Sequence, residues 1–595
     1  MLHPDAMLKH LFLALSITVS CLAQQPAVAV RNVRLFDGTR VVPAATVVFQ
    51  DGRIVAAAAD AKIPDGAKVI DGNGKTLLPG LIDAHTHVFG PALERALRFG
   101  VTTELDMFTA VPTLQQQKAE QAKGNVATRA DIFSAGTLVT VAGGHGTEYF
   151  PIVTYKPGDD AQAFIDARIA EGSDYIKLVY EDGKPFGLEF ASLTKDDLRK
   201  LIAATHARKK LAVVHISTLE GTRIAIEAGA DGLVHLFGEQ ADAELGKFIA
   251  AHRAFVVPTL TVIESAAGVQ SGATLADDAR MASFLSMAEK RALRSSFPPR
   301  STSTIKIENA FATVRQLEAA SVPILAGTDA PNPGTTHGAS IHRELELLVR
   351  AGLTPVEALT AATSTPAAAF RLADRGRIAP GLRADLLLVE GDPTRDITAT
   401  RAIAGIWKGG VALDRQPEEA PQPPPAASAV DLGDGTISTF DAGDTKSAFG
   451  FGWTTSDDSM MGGKSKATFE VVDGGANGTA KSLLVHSDIQ PGFAFPWAGA
   501  MYFPGAKPME SLDVSSKKGI TFMARGDVDL SVMVFAHSLG QIPSARKVHA
   551  GAEWTEITIP WSDFGIDGRD ITGILIGGGQ KSGRADFRID EVRLK

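Results

Sequence analysis

Eight apolar segments, at residues 80–88, 101–107, 131–135, 175–180, 211–216, 232–237, 255–260 and 322–327, alternate with stretches of helical periodicity. No other feature of the 595-residue chain constrains its fold as much. Eight βα units running in one direction suggest an α/β fold of the (β/α)8 TIM-barrel type over residues 78–365, rather than an open doubly wound sheet. Helix starts support the reading. Thr354-Pro355-Val356-Glu357 combines an N-cap, a proline at the first helical position and a glutamate three residues on, and Thr194 with Asp197 offers a similar start. Short strand-like runs lie on both sides of the alternating region, so residues 24–77 and 366–413 are expected to form a small composite β-sandwich flanking the barrel.

Polar residues on these apolar strands carry the chemistry. In Gly80-Leu81-Ile82-Asp83-Ala84-His85-Thr86-His87, alternate residues share a face, which puts Asp83, His85 and His87 together on the barrel interior. Imidazoles about 7 Å apart along a strand can share a metal ion. The alternative is a hydrogen-bonded histidine pair, and the other strands decide between the two. Lys177, His215, His235 and Asp329 each interrupt a strand or its end. Barrel strands are buried on both faces, where an unpartnered charge costs several kcal/mol. A common destination at the C-terminal mouth, where barrel enzymes place their active sites, gives every one of these groups a partner.

The set of HxH on strand 1, Lys on strand 4, His on strands 5 and 6 and Asp on strand 8 resembles the amidohydrolase superfamily. So do the lead-in Leu78-Pro79-Gly80-Leu81-Ile82-Asp83 and the tail Pro380-Gly381-Leu382-Arg383-Ala384-Asp385-Leu386. The resemblance implies two divalent ions. His85 and His87 would bind the first, His215 and His235 the second, Lys177 would bridge both as a CO2-derived carbamate, and Asp329 would ligate the first ion and act as general base and acid. Zinc is the first expectation, with manganese, cobalt and iron as alternatives. Two ions lower the pKa of a bridging water and polarise a carbonyl, so hydrolysis of an amide in a small molecule, such as a dipeptide or N-acyl amino acid, is the expected reaction. Opening of a cyclic amide or lactone, or a metal-binding pseudoenzyme, are the alternatives. Lys177 favours the binuclear branch similar to prolidase-like dipeptidases over that of imidazolonepropionases. His145, in Gly143-Gly144-His145-Gly146, and Tyr180, at the end of strand 4, are candidate substrate contacts, His145 also as an electrophile. Asp83 is expected to support the metal histidines, and His337 reads as a helix-start residue.

Hydrophobic residues make up 45% of the chain and charged ones 21%, enough to bury a large core. A net charge of -9 excludes a nucleic-acid binder that depends on a basic, counterion-releasing surface. Residues 1–23 read as a signal peptide cleaved after Ala23, with a lipoprotein carrying its lipid on Cys21 as the alternative. The apolar run is too short for a bilayer that needs about 20 helical residues, so no stable membrane insertion is expected after cleavage. Cys21 is the only cysteine, so the cleaved chain, exported to the periplasm or the medium, would have no disulfides and would build any metal site from nitrogen and oxygen ligands.

Residues 414–430 form a proline-rich linker, and residues 431–595 show short strands between Gly, Asp and Pro turns, the spacing of an all-β jelly-roll sandwich. The run Trp453-Thr454-Thr455-Ser456-Asp457-Asp458, with Pro560-Trp561-Ser562-Asp563-Phe564, resembles the NADH:ubiquinone oxidoreductase intermediate-associated protein 30 domain, which implies a galactose-binding-like fold. Its tryptophans are expected to be core residues, with sugar-stacking positions as the alternative and carbohydrate as the candidate partner.

Overall fold

The computed structural model describes residues 26–124, 127–270, 272–297, 303–418, 430–461, 463–490, 496–539, 543–579 and 582–595. The expected signal peptide and residues 419–429 of the expected linker lie outside the described residues. Among the described residues no helix is long and apolar enough to cross a membrane.

Parallel strands Leu81–Thr86, Val101–Asp106 and Asp131–Ser134 form one sheet, and Ile176–Val179, Ala212–His215, Gly232–Val234 and Phe255–Val257 form another. Nearly every residue of these strands is buried, as expected of strands covered by helices on one side and a packed interior on the other. Backbone hydrogen bonds run between the sheets. The Asp174 N–H donates to Ser134 O (2.8 Å), the Leu325 N–H to Val256 O (2.9 Å) and the Ala84 N–H to Ala326 O (2.8 Å). Residues 322–327, expected as a strand, pair through these single contacts and one bridge, Val256 with Ile324, and form no regular strand. The helix starts are built as their sequences imply: Thr354 and Glu357 make a full capping box with Pro355 inside it, and the Thr194 hydroxyl accepts from the Asp197 N–H.

Both flanks of the alternating region meet in a single eight-stranded sheet. Leu386–Glu390 pairs antiparallel with Lys75–Pro79, which joins Val28–Phe36 in parallel. This sheet is tied to the parallel strands by buried charge. Asp131, at the start of its strand, faces Arg375 Nη1 (2.6 Å), Lys408 Nζ (2.8 Å) and Arg383 Nη1 (3.0 Å), and Lys408, fully buried, also reaches Asp385 (3.2 Å). Burial alone would raise the Asp131 carboxyl, but the three cations hold it below its ordinary value.

The C-terminal region is β-rich. Two antiparallel sheets share one apolar core, with Leu483, Ile520, Phe522 and Ile589 from one and Tyr502, Val532, Ile574 and Ile576 from the other. Trp453 and Trp561 are buried in this core, so these two are packing residues. Residues 415–418 are held against the alternating region. Arg415 lies 3.4 Å over the Phe284 ring and donates to Arg98 O, and Glu418 pairs with the Arg98 guanidinium.

Replacing Asp131 with alanine leaves buried cations without their counter-charge. The expected result is a loss of about 3–5 kcal/mol from the unfolding free energy, measured by urea denaturation followed by tryptophan fluorescence and circular dichroism.

Candidate active site

Strand ends bring the expected residues together. His85 lies in Leu81–Thr86 with His87 just beyond it, Lys177 lies in Ile176–Val179, His215 ends Ala212–His215, and His235 follows Gly232–Val234. Asp329 sits two residues past the 322–327 segment. Its Oδ1 is 2.8 Å from His87 Nε2 and 3.3 Å from His85 Nε2, and its Oδ2 is 4.0 Å from His235 Nε2. Lys177 Nζ lies 3.4 Å from His85 Nε2. The ring of His235 is 4.6 Å from that of His85 and 4.4 Å from that of His215. Gly327 makes room for this approach, because a Cβ there would stand 2.8 Å from the His85 nitrogen and 2.5 Å from Val257. Asp329, His235 and Thr259 all adopt left-handed backbone, at φ of 57°, 71° and 49°, a clustering of strain common where a site over-determines its geometry.

Hydrogen bonds orient the imidazoles. The Thr259 hydroxyl donates to Pro258 O (2.8 Å), so at 2.7 Å its oxygen accepts from His235 Nδ1 and leaves Nε2 with the lone pair. His87 Nδ1 donates to Phe108 O (3.2 Å), again freeing Nε2. His145 Nδ1 is 2.7 Å from Glu148 Oε1, and Glu148 is itself held by the Gly146 N–H. Nδ1 of His85, Nδ1 of His215 and Oδ1 of Asp329 are enclosed without a hydrogen bond. Orphaned buried atoms of this kind, beside imidazoles whose far nitrogens are anchored, fit the donor set of a divalent metal ion. One ligand atom each from His85, His235 and Asp329 lie within 4.8 Å of one another, and the same holds for His145, Glu181 and His215.

Burial sets the protonation states. It draws His85 down to about 3 and holds His215 and His235 well below the usual imidazole range. The same desolvation brings Lys177 down to about 8. Burial would raise the Asp329 carboxyl, but the imidazoles of His85 and His235 outweigh it and keep the group well below its usual range. Neutral imidazoles around an ionised carboxylate are in the state that binds metal.

Some expectations are corrected. Tyr180 packs against the core beside Gly221, and alternation puts it on the opposite face from Lys177. The mouth is reached instead by Glu181, which contacts Nε2 of His215 and which strand alternation from Lys177 through Val179 would have found. His145, expected to meet substrate, lies 4.9 Å ring to ring from His215. Asp83 accepts from the backbone N–H of His85 (3.2 Å) and of Thr328 (3.0 Å), supporting the main chain rather than the imidazole rings. His337 precedes the helix Ile341–Ala351 without capping it, and its Nδ1 is 3.0 Å from buried Glu104.

Comparison with known proteins gives a consistent result. Residues 185–413 match the Amidohydrolase family. An imidazolonepropionase of Anaeromyxobacter dehalogenans is 30% identical over 371 residues, covering 54% of this chain and 77% of that protein. One from Streptomyces coelicolor is 26% identical over 414 residues, covering 62% of this chain and 91% of that protein. Among solved structures, a Xaa-Pro dipeptidase with methionine bound in its active site shares the fold, with a TM-score of 0.53 and 22% identity over 65% of this chain and 99% of the other.

The anchor on His235 is directly testable. Thr259→Val removes the oxygen that accepts from Nδ1, and zinc affinity of the metal-stripped protein is expected to fall by about 10–100-fold in a calorimetric titration. A change of less than about threefold would mean that Thr259 does not orient the ring.

Proposed function

The chain belongs to the amidohydrolase family, whose members related to it are hydrolases of carbon–nitrogen bonds, and on that premise we propose that it is a metal-dependent hydrolase of an amide in a small molecule, such as a dipeptide or N-acyl amino acid. One observation carries the reading: the Asp329 carboxylate is ringed by His85, His87 and His235 at the ends of apolar strands, with buried donor atoms left unsatisfied. His85, His87, His235 and Asp329 would hold one divalent ion. Lys177, beside His85, would add an anionic oxygen if it carries a carbamate, and its lowered pKa favours the neutral amine that reacts with CO2. Divalent ions bound here supply Lewis acidity, which lowers the pKa of water and polarises a substrate carbonyl.

The chain's own groups account for the proton transfers. Asp329 is ionised and central, so it can take the proton of an attacking water and return it to the leaving nitrogen, which departs as a neutral amine. The anchored imidazoles hold that carboxylate in place. An aromatic wall borders the site. The ring of His87 meets Phe108 edge-on at 6.2 Å, Phe108 stacks on Phe150 at 4.7 Å, and Phe89 and Tyr149 are partly exposed beyond them. Such a wall shields the reacting atoms from bulk water and suits a substrate with apolar surface.

The finer architectural readings fit this function. We read the parallel strands as a (β/α)8 barrel with the site at its C-terminal mouth, supported by the hydrogen bonds that run between its sheets. The C-terminal unit is read as a galactose-binding-like sandwich that packs beside the barrel, with carbohydrate as its candidate ligand, and the amino-terminal segment supports export to the periplasm or medium.

Dipicolinate treatment is expected to abolish hydrolysis of a dipeptide panel, and added zinc or manganese to restore it. Asp329→Asn is expected to lower kcat by about 10²–10⁴ on the same panel, since it removes the proton acceptor. An Asp329→Asn enzyme with wild-type kcat would reject the assigned role.

A further inference from the structure

The strands that end near His215 and His235 begin at a second concavity. Leu211, Asp231 and Phe255 stand at the starts of Ala212–His215, Gly232–Val234 and Phe255–Val257, and with Pro323 they border a cavity of about 790 Å³. Sites for small molecules occupy about 300–1,000 Å³. Arg253, Arg371 and Arg377 line the same cavity. We propose that it binds a small organic anion with an apolar body, the oxyanion held by the three arginines and the body resting on Leu211, Phe255 and Pro323. The inference is independent of the hydrolase reading, because none of these residues belongs to the site at the opposite strand ends.

The charge here runs against that of the whole chain. Acidic residues outnumber Lys and Arg by 68 to 59, yet three cations and one carboxylate line this cavity. That carboxylate, Asp231, is already engaged: its Oδ2 accepts from the Ala212 N–H (2.8 Å) and lies 2.8 Å from His206 Nε2. Among the described residues no carboxylate pairs with Arg253, Arg371 or Arg377. Asp37, the acid that feels the charge of Arg377, is held by the backbone N–H groups of Thr39 (2.9 Å) and Arg40 (2.8 Å). A guanidinium is a planar fork that matches the oxygens of a carboxylate or phosphate, so three of them around one concavity call for an oxyanion. Arg371 is held ready, because its Nη1 donates to Lys209 O (3.1 Å) and its other N–H groups stay open. The backbone gives a second reason. Arg253 and Arg371 adopt left-handed conformations, at φ of 57° and 60°, two residues past the helices Leu245–Ala251 and Ser364–Ala369. Glycine is the usual residue there, as Gly229 is after Leu219–Glu227. A cation near a helix C-terminus complements the helix dipole, but Arg377 stands at no helix end and lines the same cavity. Thr365 adds a hydroxyl that makes no hydrogen bond among the described residues.

The test is calorimetric titration of the full chain with phenyl phosphate and with benzoate, the two arms separating phosphate esters from carboxylates. Saturable binding of at least one is expected at millimolar concentration, with weaker binding of inorganic phosphate and none of benzyl alcohol, since oxyanion and ring both contribute. Arg253→Gln and Arg371→Gln are each expected to raise Kd by about tenfold or more, with unchanged circular dichroism, and Asp329→Asn to leave it unchanged. Failure of both probes to bind would overturn the proposal while leaving the proposed hydrolase standing. So would a Kd that stays within about twofold of wild type in both arginine variants, or binding lost in Asp329→Asn, which would put the probe at the strand-end histidines instead. Equal affinity for phenyl phosphate and inorganic phosphate would overturn the apolar contact. If the two arginine variants fail to fold, Arg377→Gln, on an irregular segment, decides by the same criterion.

Discussion

An imidazole, an amine or a carboxylate at the end of an apolar strand loses its hydration, and in isolation each loss costs several kcal/mol. The six groups on these strands offset part of that cost by meeting one another, and Nδ1 of His85, Nδ1 of His215 and Oδ1 of Asp329 are still left without a hydrogen bond. Asp329 lies between His85, His87 and His235, and Lys177 lies against His85. The surrounding backbone conforms to this meeting: left-handed residues at His235, Thr259 and Asp329, and a glycine at 327 where any side chain would strike His85. The apolar strands supply rigidity, and the need to pair the polar ends sets where those ends point.

How much of this could be read from the chain depends on the range of the interaction. The six strand-borne residues stood out because each is a polar interruption in an apolar run, a signal contained within a few positions. The same periodicity, applied strictly, would have chosen Glu181 over Tyr180, because residues 177, 179 and 181 share a face and 180 does not. The anchors were hidden. Thr259 and Phe108 act on His235 and His87 through a hydroxyl and a main-chain carbonyl, and neither residue type announces such a role. The regular strand expected at 322–327 is absent, since those residues pair through single contacts on either side rather than along a ladder.

The buried charges beneath the barrel were equally hidden, for a different reason. Asp131 opens an ordinary-looking strand, and its partners at 375, 383 and 408 lie more than 240 residues away. No local pattern links them. The C-terminal unit contrasts with this. Its two sheets draw all their strands from residues 436–594 and close their core among themselves, so its β-rich character was legible from strand and turn spacing alone.

The Asp131 cluster also bears on how such a chain can be assembled. A strand near residue 131 cannot reach its final electrostatic environment until residue 408 is available, because the lysine there is fully enclosed against it. The strand at 131 and the flanking sheet are therefore completed together, and a nascent chain halted before that lysine would hold the carboxylate with Arg375 and Arg383 alone. The C-terminal unit makes no such demand, because its strands pair and pack among themselves.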